Sequence, residues 1–105
     1  MAVYVEADGR ESFAIACQGD ITLSRAGRAS SAVPMEITTE TGNQIFNATP
    51  ATNGTSFLSI RLPARTRLLD AMALSRGRFM VQTSGLRTLY LPAWAEVSRV
   101  IEDCR

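Results

Sequence analysis

From Ala2 to Leu62 the apolar side chains of this chain recur at about every second position, in short runs broken by glycine, proline and asparagine. A period of two marks strands with one buried face, so the first half of the chain has to be built from sheet. Ala2-Val3-Tyr4-Val5-Glu6 reads as a first strand, and Asp8-Gly9 turns it into a second over 12–18 in which Phe13, Ile15 and Cys17 share a face. Gly19-Asp20 leads into 21–25, with Ile21 and Leu23 on one side, and 26–31 is a loop by composition. Pro34 precedes a strand over 35–40 that points Met35, Ile37 and Thr39 the same way, and Thr41-Gly42-Asn43 turns the chain. A short strand over 44–48 is cut off by Pro50. Asn53-Gly54 is the strongest hairpin signal in the chain, and 56–62 returns with Leu58, Ile60 and Leu62 inward.

At Pro63 the period changes from 2 to 3.6. Leu68, Leu69 and Met72 form the apolar stripe of a helix over about 66–76, with Gly77 as its C′ residue and Arg76 at the negative end of its dipole. A hairpin follows, with strands over 78–83 and 86–91 around Ser84-Gly85. Pro92 then stands just before a C-terminal helix over about 93–104, whose Trp94, Val97, Ile101 and Cys104 repeat along one face. Seven to eight short strands, one inserted helix and one closing helix define a mainly β, α+β chain. The architecture expected is an antiparallel β-sandwich or open barrel in a single domain, 1–105.

The two cysteines each end an apolar row, Cys17 on the second strand and Cys104 on the tail helix. The economical reading is a Cys17–Cys104 disulfide that holds the tail against an early strand. Closing so long a loop contributes about 4 to 5 kcal/mol by the chain-entropy relation. The alternative is two separate buried thiols in a cytosolic protein, since cysteine is often buried unpaired. With the bridge, the chain belongs to an oxidising compartment. Met1 then stands in place of an expected export signal.

Composition removes several chemistries. Hydrophobic residues make up 46 % and charged residues 20 %, and no apolar run approaches the length of a membrane span. All basic residues are arginine and there is no histidine, which takes away the usual general base, the usual zinc ligand and the centre of a Ser-His-Asp triad. No Cys-x-x-Cys or phosphate-binding glycine pattern occurs, so neither a metal nor a cofactor is expected.

The block Arg61-Leu62-Pro63-Ala64-Arg65, then Leu68-Leu69-Asp70-Ala71-Met72-Ala73, Ser75-Arg76-Gly77-Arg78-Phe79, Leu89-Tyr90-Leu91-Pro92 and the ending Ile101-Glu102-Asp103-Cys104 resembles a family of uncharacterised exported proteins from alphaproteobacteria. The layout is similar to that of periplasmic accessory proteins of secretion systems. The likeness covers the C-terminal part. It implies an export signal in the precursor, a periplasmic or secreted location that includes a lipid-anchored, lipoprotein-like form, and a β-rich fold. It carries no catalytic residue across.

Residues 61–91 hold six arginines against Asp70 alone, a net +5, whereas the first 60 residues carry a net −3. Arg65, Arg67, Arg76 and Arg78 are therefore candidates for binding an anionic envelope component, with a solvated rim as the plainer reading. The overall net charge of +1 makes nucleic acid the least favoured partner. Asp20, Glu36, Glu40 and Asp70 are the remaining acid–base candidates, and Glu40-Thr41-Gly42 distantly echoes an aspartic-protease turn without its Asp or its second copy. Trp94 reads as a core anchor, with a groove shared with Tyr90 as the alternative. The expected function is a non-enzymatic envelope domain that binds a protein or an anionic component. Its rivals are a small carboxylate-dependent hydrolase and a protease-inhibitor-like module presenting the loop from Arg25 to Ser31.

Overall fold

The computed structural model describes residues 1–5, 7–51, 56–75 and 77–105. Glu6, the Asn53-Gly54 turn and Arg76 lie outside the described residues.

Eight strands and two helices follow one another as β1 (Ala2–Val5), β2 (Glu11–Gln18), β3 (Asp20–Ala26), β4 (Val33–Thr39), β5 (Gly42–Pro50), β6 (Phe57–Leu62), α1 (Arg67–Leu74), β7 (Arg78–Thr83), β8 (Leu89–Pro92) and α2 (Ala95–Asp103). The strands form a single sheet in the order β1-β2-β3-β6-β5-β4-β7-β8, with every neighbouring pair antiparallel. Consecutive strands β4, β5 and β6 lie side by side and β3 returns to β6, a Greek-key arrangement. The sheet curls into an open barrel whose two edges, β1 and β8, approach each other: the Tyr4 hydroxyl donates to the Pro92 carbonyl at 2.5 Å.

The alternation places the core as its period requires. Phe13 and Ile15, Ile21 and Leu23, Met35 and Ile37, Leu58, Ile60 and Leu62 are all buried on the inner face. Tyr4, Phe13 and Phe79 pack ring against ring at 6.1–6.2 Å. On α1, Leu68, Leu69 and Met72 are the buried residues, as the 3.6-residue spacing predicts. Helix α2 buries Val97, Val100 and Ile101, packs against α1 and lies over β2 and β1. Each fully buried aliphatic or aromatic side chain here is worth about 1.5 to 3 kcal/mol of transfer free energy.

Several boundaries differ from the sequence reading. Strand β5 runs through Pro50 instead of stopping at 48, because its end switches partner: Gly42 to Ala48 pair with β4, while Thr49 and Pro50 pair with β6. Pro34 lies inside β4 and Pro92 ends β8 instead of opening the helix. β8 begins only at Leu89, since the Leu86 N–H closes a turn on the Thr83 carbonyl. Helix α1 ends at Leu74 with Ser75 as its C-cap, so the left-handed Gly77 (φ 92°) follows the helix end at one further remove than a C′ glycine.

Trp94 is the clearest correction. It is the N-cap of α2 with extended backbone (φ −71°, ψ 158°), which takes it out of the helical repeat. Its side chain is 46 % exposed rather than a core anchor, and Val100 takes the buried position in its stead.

Candidate functional site

The Cys17 and Cys104 sulfurs are bonded at 2.09 Å, with Cα atoms 5.6 Å apart across 87 residues of sequence. Cys17 continues the inward side of β2, but the strand has run out to the surface by then and the residue is exposed. Cys104, half-buried, caps the C-terminus of α2. The bridge is thus at the rim of the barrel and fixes the far end of the tail helix to β2. The near end of that helix is fixed by Trp94, whose indole stacks on the Tyr4 ring at 4.5 Å and 18°.

These two anchors hold α2 over β1 and β2, beside the place where the barrel fails to close. Between β1 and β8 runs a groove of about 320 Å³, walled by Tyr4, Val5, Leu89, Tyr90, Pro92 and Trp94 and reaching Ser12 and Arg87. A second cavity of about 210 Å³ shares Ser12, Arg87 and Leu89 with it and adds Arg10, Glu11 and Arg25. One end of the seam is therefore aromatic and the other is rich in arginine.

Tyr4 is shielded by burial, which pushes its phenol up to about 12, although the Trp94 main-chain N–H beside it works the other way. Arg25 points inward after Ile21 and Leu23 and is only 5 % exposed. Its Nε donates to the Ala26 carbonyl at 3.0 Å and its Nη1 to the Arg87 carbonyl at 2.8 Å. Burial, with the Arg87 charge second, lowers its pKa. The stretch from Arg25 to Ser31 therefore starts inside β3 with a buried side chain, not on a presented loop.

Of the four candidate arginines, Arg65 precedes the N-cap of α1, Arg67 opens the helix and Arg78 opens β7. All three are exposed and, among the described residues, form no ion pair. An eight-residue helix, about 12 Å long, separates the first two from Arg78 along the chain. Arg76 lies outside the described residues. The candidate carboxylates are dispersed: Asp20 at the start of β3 faces Arg61 at 3.9 Å, Glu36 on β4 accepts from the Asn43 amide, Glu40 stands in the turn after β4, and Asp70 on α1 pairs with Arg105 at 2.7 Å. The described residues include no cluster of acidic, cysteine or histidine side chains suited to a metal.

Sequence reasoning passed over Tyr4 and Arg87 as site residues and placed Arg25 only at the head of a presented loop. Arg25 carried a signal, since it extends the alternation of Ile21 and Leu23 by one step. Tyr4 and Arg87 carried none, because their lining one groove depends on how the barrel curls. No helix among the described residues is long and apolar enough to cross a membrane. Compared with known proteins, the chain matches no family model, no characterised protein and no solved structure.

Proposed function

We propose that this chain is a non-enzymatic binding domain of an oxidising compartment, periplasmic or secreted, and that it receives a protein partner at the seam between β1 and β8. The observation that carries the reading is the clustering of Val5, Tyr90 and Trp94, all exposed, on the walls of one groove. Exposed tryptophan and tyrosine beside arginine are the residues that dominate binding energy at protein interfaces. The disulfide supports the compartment, because such bonds persist where glutathione and thioredoxin do not reduce them. Capture from a periplasmic extract tests the proposal. Wild-type protein should retain a partner that a Trp94→Ala/Tyr90→Ser variant of equal helix and sheet content loses. Retention of the same proteins by both, or of none by either, would remove it.

A second surface follows from the arginines. Arg65, Arg67 and Arg78 are exposed without an ion pair among the described residues, which leaves their charge available to anionic head groups or lipopolysaccharide. Vesicles containing anionic lipid should bind the wild type and release the variant with Arg65, Arg67, Arg76 and Arg78 all changed to Ser. Unchanged binding would count against this surface.

A further inference from the structure

We infer that the occupant of the seam is an extended peptide segment bearing a carboxylate, added as a further strand along the outer edge of β8. The inference rests on the reading of the seam as the binding surface and specifies what fills it.

The hydrogen-bond pattern of β8 supplies the first argument. The Ala93 N–H donates to the Gly77 carbonyl at 2.9 Å, and the register continues as Arg78 to Pro92, Phe79 to Leu91, Met80 to Tyr90 and Val81 to Leu89. In an antiparallel pair the main-chain groups of successive residues point alternately toward and away from the partner. Ala93, Leu91 and Leu89 therefore turn theirs to β7, whereas Pro92 and Tyr90 turn theirs to the seam. Pro92 has no N–H, and its carbonyl already accepts from the Tyr4 hydroxyl and the Trp94 N–H. Tyr90 presents both an N–H and a carbonyl to an incoming strand, the mode by which sheet edges capture extended peptides.

Charge supplies the second. The arginine end of the seam is lined by Arg10, Arg25 and Arg87 together with Glu11, and Arg87 is not without a partner of its own. Arg10 is partly offset by Asp8 at 2.8 Å. Arg25 is different: its described hydrogen bonds go to two carbonyls, which satisfy N–H groups without balancing a buried positive charge. A carboxylate brought there gains the most from that field. From Tyr90 to Arg87 an extended chain covers about 10 Å. A segment of about four residues at that rise spans both ends, with an apolar side chain over Tyr4 and Trp94 and its carboxylate toward the arginines.

The test uses the oxidised full chain and a positional-scanning library of short peptides with free C-termini, followed by Trp94 fluorescence. For the best binder, amide hydrogen exchange at Tyr90 should slow at least tenfold on saturation. N-methylation of the peptide residue opposite Tyr90 should abolish binding. Either the C-terminal amide or a Glu→Gln peptide should bind at least tenfold more weakly, and which of the two does so identifies the source of the carboxylate. Binding that leaves Tyr90 exchange unchanged, or that is indifferent to both carboxylate changes, overturns strand addition while the seam remains a binding surface. Tyr90 protected without peptide, together with concentration-dependent dimerisation, assigns the edge to a second copy and also overturns it. A library with no binder, beside a partner captured through Trp94 and Tyr90, overturns the peptide assignment alone.

Discussion

The indole of Trp94 lies flat on the phenol ring of Tyr4, 4.5 Å from centroid to centroid, so the residue before the last helix sits on the first strand. The same tyrosine donates its hydroxyl to Pro92 at 2.5 Å. Strands β1 and β8 share no ladder, and these two contacts stand in for one. Tyr4→Phe keeps the stack and removes the hydrogen bond, leaving a carbonyl to be satisfied by Trp94 alone. Urea unfolding should show a loss of about 1 to 2 kcal/mol. A loss too small to measure would mean the seam is held by the rings alone.

The same hydroxyl sets a pH dependence. Tyr4 in the folded chain ionises near about 12, against 10.0 for the unperturbed group. Below pH 10 both folded and unfolded chains keep the proton and the full contribution of the neutral phenol is present. As pH rises from about 10 toward 12 the unfolded chain loses its proton first, so stability falls across that window. Equilibrium unfolding at stepped alkaline pH should show this limb in the wild type and not in Tyr4→Phe. An identical limb in both would place its origin elsewhere.

Replacing both cysteines by serine should lower stability by about 4 to 5 kcal/mol, the chain-entropy value for a loop of this size. That is a large share of the roughly 5 to 15 kcal/mol a domain of this kind commands. Thermal unfolding of the double variant beside wild type, each with and without reductant, measures it. Coincident midpoints would mean that the tail packs equally well without the bond.

Helix α1 offers a test of packing phase. Leu69 is fully buried and Leu74 is 79 % exposed. Leu69→Ala should cost about 2 to 5 kcal/mol through lost burial and the cavity left behind. Leu74→Ala should stay within about 0.5 kcal/mol. Comparable losses at both sites would contradict the stripe formed by Leu68, Leu69 and Met72.

The parts of the fold that were readable in the sequence are those where periodicity speaks. Leu58, Ile60 and Leu62 on β6, and Leu68, Leu69 and Met72 on α1, take the faces their spacing assigns. The two cysteines end apolar rows and meet as that placement suggests. Strand β5 was underestimated because its outer half buries almost nothing: Ile45 is exposed and only Ala48 is fully covered, so no alternation marks its length. Trp94 misled because it stands one residue outside the helix whose spacing it shares. The seam was legible in part, since a groove shared by Trp94 and Tyr90 is the alternative reading of those residues and both line it. Its closure was not, because the Tyr4 side chain and the Pro92 carbonyl lie 88 residues apart and meet only when the barrel curls.

The covalent hold on α2 fixes the end of the helix remote from Trp94 and underlies the proposal of an oxidising compartment. It is tested most directly on protein recovered from cells with iodoacetamide present throughout and no reductant, by intact mass. The predicted result is a single unmodified species that takes up two alkyl groups only after reduction. Recovery with both Cys17 and Cys104 already alkylated would contradict it.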